Sequence, residues 1–386
     1  MYSDLIMRGF KPENIILMSY STALNAAENP FKGMIFTDPA ETTDGDWAKY
    51  GCFDHIDYTD KDINGEVFLG ILSGDAARVE KATGKKNPKV FSGGPEDTMF
   101  TYFIDHGSPD VIWVEDDAVR TAHVMEAMKA AYEKKLYGKW LWYIETCYSG
   151  SVFEKLPADW NVYVMTSADA DHSAAMSNCP PDDVVAGKSL DTCIAGLWDN
   201  YWMEYAEKNP DTTVGELFDA VKARVAEESD QNVSEFGDLT FRDLPLAEFF
   251  GKPTTSTRAR RATPKRESVV PIDQVPVHLA KWKAIREGSS NSLSALQKEV
   301  AKAAKQEVEV MRLGAALLSE KEADEAMKAT TLATSYSASC VSELQIALHK
   351  ECGHNTTPSK ATLNLLRKIC APGKTTPSMN WSEICM

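Results

Sequence analysis

Two apolar runs constrain this chain more than any other feature. The first, MFTYFIDHG over 99–107, ends in a histidine and a glycine; the second, KWLWYIETCYSG over 139–150, ends in a cysteine and a glycine. Each is rich in aromatic and β-branched residues. Pro95-Glu96-Asp97 precedes the one and Tyr137-Gly138-Lys139 the other, so both read as short buried strands. Between them, 121–135 has a helical rhythm with Met125, Met128 and Tyr132 on one core-facing stripe. This alternation predicts an α/β protein with a mostly parallel sheet and helices on both faces. The carboxyl ends of parallel strands are where loops converge into a site, so His106 and Cys147 are expected to face each other there.

That pairing carries chemistry. An adjacent imidazole can hold a cysteine as thiolate and then pass the proton to a leaving amine. Gly107 and Gly150 allow close backbone approach, and the amides of Gly107 and Cys147 are candidates for the oxyanion of a tetrahedral intermediate. Taken singly, a histidine beside an aspartate is usually structural and a cysteine on an apolar strand is usually core. The layout at two strand ends is what favours catalysis.

The remaining pattern supplies further elements. Residues 14–20 and 161–166 read as strands, 64–77 as a polar loop entering a helix, and 190–207 and 214–228 as helices. At Gly251 the composition shifts to GKPTTSTRARRATPKRE, a polar, basic, proline-bearing stretch expected to be exposed and easily cut. A nucleic-acid patch is disfavoured there, because the flanking segments are acidic and no aromatic residues interleave. Helical periodicity returns over 276–286 and 292–327, with Leu293, Leu296, Val300, Ala304, Val308 and Met311 near one stripe, followed by three short helical segments. The expected division is an α/β domain over 1–250, a linker over 251–290 and a helical domain over 291–386.

Charge and cysteines bound the setting. Lys plus Arg number 41 against 57 Asp plus Glu, which argues against a nucleic-acid partner. No run of 18 apolar residues is present to span a membrane, and Met1-Tyr2-Ser3-Asp4-Leu5 is no secretory leader. Read literally, that leader-less start indicates cytosol. Cys340, Cys352, Cys370 and Cys385, clustered at the C-terminus, point the other way, since a segment rich in Ser, Thr and Lys gains from disulfides. The alternative is that all eight cysteines are reduced and packed. Asn232-Val233-Ser234, Asn355-Thr356-Thr357 and Asn380-Trp381-Ser382 fit the glycosylation acceptor pattern.

The segments TYFIDHGS and YIETCYSGSVF resemble the His-Gly and Cys motifs of the legumains, the asparaginyl endopeptidases of caspase-like fold. GFKPENIILMSYS, ENPFKGMIF, IDYTDKDI and SGGPEDTMF upstream, and NVYVMTSADADHS and YWMEYAE downstream, follow that family's order. The glycosylphosphatidylinositol transamidases share the His-Gly and Cys logic but resemble this chain less. The resemblance implies His106 as base and Cys147 as nucleophile, with no metal or cofactor. It also implies Glu145 and Ser173 as walls of an asparagine pocket, although an ion-paired strand end is the alternative reading of Glu145. By the same resemblance Cys340 pairs with Cys370, Cys352 with Cys385, and Cys179 with Cys193, leaving Cys147 and Cys52 free.

Further implications are an acid-activated zymogen, its own C-terminal prodomain as inhibitor, cystatin-like inhibitors as partners, protein or peptide substrates, a possible transpeptidase activity, and a vacuolar, lysosomal or secreted location. The family's first core strand, with an asparagine that orients the histidine, has no counterpart before Tyr2. The chain is therefore expected to be a fragment or an incomplete gene model lacking also its signal peptide; the rival is an inactive, peptide-binding paralogue. Three departures bear on specificity: Gly196 stands where the family carries a pocket aspartate, Tyr148 where it has glutamate, and Ala174 replaces the second pocket serine.

Overall fold

The structure is a computed structural model and describes residues 1–20, 22–39, 55–252, 268–372 and 379–386. Its central sheet has four strands: β1 (Thr98–Ile104), β2 (Lys139–Glu145), β3 (Val162–Thr166) and β4 (Ser234–Gly237), in the spatial order β1-β2-β3-β4. The first three are parallel and β4 closes the edge antiparallel to β3. Trp140 through Glu145 are all buried, as a continuous apolar run in the middle of a two-faced sheet requires.

Alternate side chains of β2 serve the two faces. Trp140, Trp142 and Ile144 pack with α1 (Gly65–Leu72) and α2 (Thr121–Glu133), whereas Leu141 and Tyr143 pack with α3 (Leu197–Lys208) and α4 (Val214–Ala226). Three small antiparallel sheets surround this core; one joins Gly107–Ser108, Val111–Val114 and Asp117–Arg120, another sets Ala175–Ser177 between Ala195–Gly196 and Val270–Pro271. An α/β architecture consistent with a caspase-like peptidase fold is what the residues build.

The C-terminal part is helical: α5 (Val275–Glu287), α6 (Ser290–Leu317), α7 (Glu320–Lys328), α8 (Ala338–Cys352), α9 (Lys360–Ile369) and a last turn, Trp381–Ile384. Serine caps explain the breaks. Ser289, Ser319, Ser337 and Ser359 each accept from a backbone N–H of the following first turn. Val310, Leu313, Leu344, Leu348, Leu363 and Leu366 form one apolar cluster that also contains Cys147, Tyr148 and Ala174. Among the described residues no helix is long and apolar enough to cross a membrane.

Several expectations change. Residues 14–20 make only a single parallel bridge, Met18 to Tyr58, because the described chain offers them no longer strand partner. Most of 64–77 is helix rather than loop: Asn64 caps α1, and Gly65 and Gly70 allow close packing against Val119 and Val79. The expected helix over 190–207 starts only at Leu197. The helical run over 292–327 is two helices, split where the Ser319–Glu322 capping box starts α7. The predicted stripe on α6 is largely solvent-facing, with Leu293, Val300 and Val308 about half exposed. Three disulfides, Cys179–Cys193, Cys340–Cys370 and Cys352–Cys385, match the expected pairing, and Cys147 is free. Cys52 and the arginines of the basic stretch, Arg258, Arg260, Arg261 and Arg266, lie outside the described residues.

Candidate active site

β1 and β2 run in register, Ile104 opposite Glu145. His106 and Cys147 each follow two residues later, so they leave neighbouring strands at the same edge of the sheet. The N–H of Asp105 donates to the Glu145 carbonyl at 3.3 Å, carrying the ladder one residue further. A Cβ on Gly107 would stand 2.2 Å from the Cys147 carbonyl oxygen, so only glycine allows the two backbones to approach this closely. His106 is exposed; its backbone is fixed by its N–H to Asp105 Oδ1 (2.7 Å) and by its carbonyl, which accepts from Trp113.

Cys147 is fully buried. Its sulfur lies 3.1 Å from Ser173 Oγ, accepts from the Ala174 N–H at 3.3 Å and is hydrogen-bonded by Thr357. Burial, with the Glu145 charge adding to it, pushes the thiol up to about 12 against the opposing pull of those three hydrogen bonds. Tyr148 follows with φ at 56°, a left-handed conformation that is costly for a bulky side chain. Its N–H donates to the His172 carbonyl and its hydroxyl to the Pro358 carbonyl at 3.0 Å. Gly150 completes the turn, since a Cβ there would meet the backbone of Asp169 at 2.8 Å.

Glu145 is 2% exposed, and among the described residues neither of its carboxylate oxygens has a hydrogen-bond partner. Burial, followed by the charge of Asp199, raises its pKa well above the usual carboxylate range. The expectation of Gly196 as a lost acidic wall changes form here. Asp199, one helical turn later, points Oδ2 to within 2.9 Å of where a Cβ at 196 would be, and the Glu145 Cδ is equally close to that point. Position 196 alone missed this carboxylate; the i+3 spacing on α3 is the signal that finds it.

The C-terminal segment closes over this edge. Thr357 Oγ1 donates to the Gly107 carbonyl at 3.2 Å, beside its contact with the Cys147 sulfur. The buried Arg367 on α9 reaches Asp171 at 2.6 Å and the Ala170 carbonyl at 3.3 Å while stacking on Tyr336, which pins the loop that carries Ser173. Arg120 pairs with Glu343, and His349 packs on Trp113 with Nε2 3.9 Å from Asp116. Lys305 and Lys321 pair within their own helices, with Glu309 and Glu325.

His354, three residues before Thr357, is buried against Glu309, Nε2 to Oε2 at 2.9 Å. Cys352 Sγ lies beside that pair but is committed to Cys385. Among the three acceptor asparagines, Asn232 is exposed with its amide donating to Asp169, Asn380 is exposed with its amide donating to Glu383, and Asn355 is half-buried.

Residues 1–252 match the Peptidase C13 family. A hemoglobinase of Schistosoma japonicum is 32% identical over 301 residues, 77% of this chain and 66% of its own. Legumain of Mus musculus is 29% identical over 288 residues, 74% of this chain and 62% of its own. A vacuolar-processing enzyme of Vicia sativa is 31% identical over 255 residues, 65% of this chain and 50% of its own. The match thus spans under two thirds of each relative's length.

Proposed function

Because this chain belongs to the Peptidase C13 family, we propose that it is a cysteine endopeptidase held latent by its own C-terminal helices, with Cys147 as nucleophile and His106 as base. The observation that carries this reading is the exit of both residues from in-register ends of adjacent parallel strands, under the hydroxyl of Thr357. Family membership supports cysteine-peptidase activity in general terms. The division into a peptidase domain (1–250), a linker (251–290) and a prodomain (291–386) belongs to the same proposal.

In the uncovered site His106 takes the thiol proton as the sulfur attacks the scissile carbonyl carbon. A C–S bond forms, and the carbonyl oxygen becomes an oxyanion within reach of the Gly107 and Cys147 amides. Collapse breaks the C–N bond, the imidazolium protonates the leaving amine, and a thioester remains. Water deprotonated by His106 then releases the acid; an incoming amine in its place forms a new peptide bond, the transpeptidase outcome. Asparagine at P1 is favoured by Glu145 and Ser173, and aspartate enters only when acid removes its charge.

The proposed acid activation acts on a seam held by ion pairs, Arg367 with Asp171 and Arg120 with Glu343. Cutting falls near Asn232 if autocatalytic, or at Arg258, Arg260 or Arg261 if another protease acts. Three disulfides fit an oxidising compartment, and several relatives are vacuolar-processing enzymes, so a vacuolar, lysosomal or secreted glycoprotein is the setting proposed, modified at Asn232, Asn355 or Asn380 and open to cystatin-like inhibitors.

The test is peptide turnover and labelling by a peptide-like thiol electrophile, both measured after acid treatment, in the full chain and in Cys147→Ala. Turnover and labelling lost together in the variant support the assignment. Retained turnover in Cys147→Ala overturns it, and peptide binding without turnover or labelling in the parent chain marks an inactive binding protein.

A further inference from the structure

We propose that His172, clamped to Asp169, is a positioning residue for Cys147: the charged imidazole holds the 169–174 turn in the shape that aims the Ser173 hydroxyl and the Ala174 N–H at the sulfur. What the aimed sulfur does rests on the peptidase reading of the site; the clamp itself does not.

Three consecutive residues hold the backbone that carries the thiol. The His172 carbonyl accepts from the Tyr148 N–H at 2.9 Å, Ser173 Oγ lies 3.1 Å from Cys147 Sγ, and the Ala174 N–H donates to that sulfur at 3.3 Å. Their shape is set just upstream. Asp169 Oδ1 accepts from the Asp171 N–H at 2.8 Å and meets His172 Nδ1 at 2.7 Å, which folds the turn back on itself, while Oδ2 accepts from the Asn232 amide at 2.6 Å. The buried Gln231 ties both ends of the loop: its Nε2 donates to the Ser167 carbonyl at 2.7 Å and its Oε1 accepts from the Ala175 N–H at 3.2 Å. One hold comes from the C-terminal helices, where Arg367 grips the Ala170 carbonyl and Asp171. When those helices leave, the Asp169–His172 contact is the charged clamp that stays on the turn among the described residues.

The strength of that clamp depends on charge. A hydrogen bond from an imidazolium to a carboxylate is roughly twice as strong as a neutral one. The bond to Asp169 raises the His172 pKa against partial burial, and the charges of Asp169, Asp230 and Asp171 act in the same direction. Glu154 adds negative charge toward Asp171 and Asp169, and Arg367 faces the turn from the C-terminal helices. The imidazole is therefore charged in acid, and its contribution is lost as pH rises through its raised value. The hydrogen bonds from Ser173 and Ala174 favour the thiolate, because they stabilise the charged form of the sulfur. Slackening the turn weakens both, so the reactivity of Cys147 follows the charge on His172.

The experiment uses full-length chains carrying Arg367→Ala, which frees the turn from the C-terminal helices, and compares this parent with added His172→Ala or His172→Asn. Asparagine keeps a donor near the Nδ1 position but does not titrate. The readout is the rate of Cys147 alkylation by iodoacetamide from about pH 5 to about pH 8.5, a range that spans the histidine titration. Each rate is taken as a ratio to the parent at the same pH, so that the ordinary ionisation of the thiol and of His106 cancels. His172→Ala is expected to slow alkylation roughly tenfold in acid and less than about threefold at the alkaline end. His172→Asn is expected to be about threefold slow in acid and equal to the parent at the alkaline end. Profiles that coincide with the parent overturn the proposal, and so does a deficit of the same size at every pH, the mark of a merely structural role. Where circular dichroism shows His172→Ala unfolded, His172→Asn decides by the same two criteria. Peptide turnover by these chains should fall in kcat with KM within about twofold. Absence of turnover in the parent counts against the peptidase reading alone and leaves the alkylation profile to decide.

Discussion

Thr357 sets its hydroxyl on the Cys147 sulfur while donating to the Gly107 carbonyl at 3.2 Å. One side chain thus occupies the Cys147 thiol and the backbone beside it. A thiol pushed up to about 12 by burial has a thiolate fraction on the order of 10⁻⁵ at pH 7.

Alkylation of Cys147 should therefore be slow in the covered chain and accelerate roughly 100-fold or more once the cover is released, since the thiolate is the reactive species. Iodoacetamide kinetics at pH 7 before and after an acid step, followed by peptide mapping, measure it. Equal rates would exclude a buried nucleophile in the covered form.

Arg367→Ala should loosen the cover. It removes the grip on Asp171 and the Ala170 carbonyl and exposes a buried face of Tyr336. Because Asp171 is about half exposed, the loss is expected at the low end for charged hydrogen bonds, about 1 kcal/mol or slightly more. Labelling of Cys147 at neutral pH should rise by about tenfold.

The His354–Glu309 pair gives the C-terminal helices a pH dependence with a defined sign. Burial lowers the His354 pKa, opposed by Glu309 and assisted by His349 and Lys305. A histidine lowered on folding stabilises fully above its unfolded value of about 6.5, and that contribution is lost as pH falls below it. His172 works the other way: its bond to Asp169 raises it, so its contribution is present in acid and lost as pH rises. Thermal unfolding of the helical part should weaken between pH 7 and 5, and His354→Gln should flatten that slope.

Gly107→Ala should abolish activity and destabilise the site edge by roughly 2 kcal/mol or more, because the added Cβ meets the Cys147 carbonyl oxygen at 2.2 Å and rigid backbone cannot give way. Urea unfolding and peptide turnover check both halves.

Thiol titration of the denatured, unreduced protein should give two free thiols, Cys147 and Cys52, against the three bonded pairs. Breaking the Cys340–Cys370 pair by Cys340→Ala should cost the helical part about 2–4 kcal/mol and leave Cys147 open to alkylation at neutral pH.

Residues whose neighbours lie in the same strand or the next were legible in the sequence. Thr98–Ile104 and Lys139–Glu145 announce themselves as apolar runs, and their ends locate His106 and Cys147. The run Ile15-Ile16-Leu17-Met18 looks the same, yet forms only one bridge, because a strand needs a partner that local pattern does not supply. Gly65 and Gly70 disguise α1 as a loop while serving close packing. Thr357 meets Gly107 across 250 residues, and no periodicity encodes such a contact. Asp199 was hidden for a different reason: reading position 196 in isolation overlooks the residue one turn along the same helix face.

The two C-terminal disulfides have a topological consequence. Thr357 lies between Cys340 and Cys370 and also between Cys352 and Cys385, so the segment on Cys147 belongs to two overlapping rings, each closed by a disulfide. A nick at Asn355, or anywhere else between Cys352 and Cys370, creates two new chain ends but no free fragment. The severed ends stay tethered at high local concentration. Only a cut upstream of Cys340 lets the whole knot depart, so the stopper is one that its own bottle can bite through without losing.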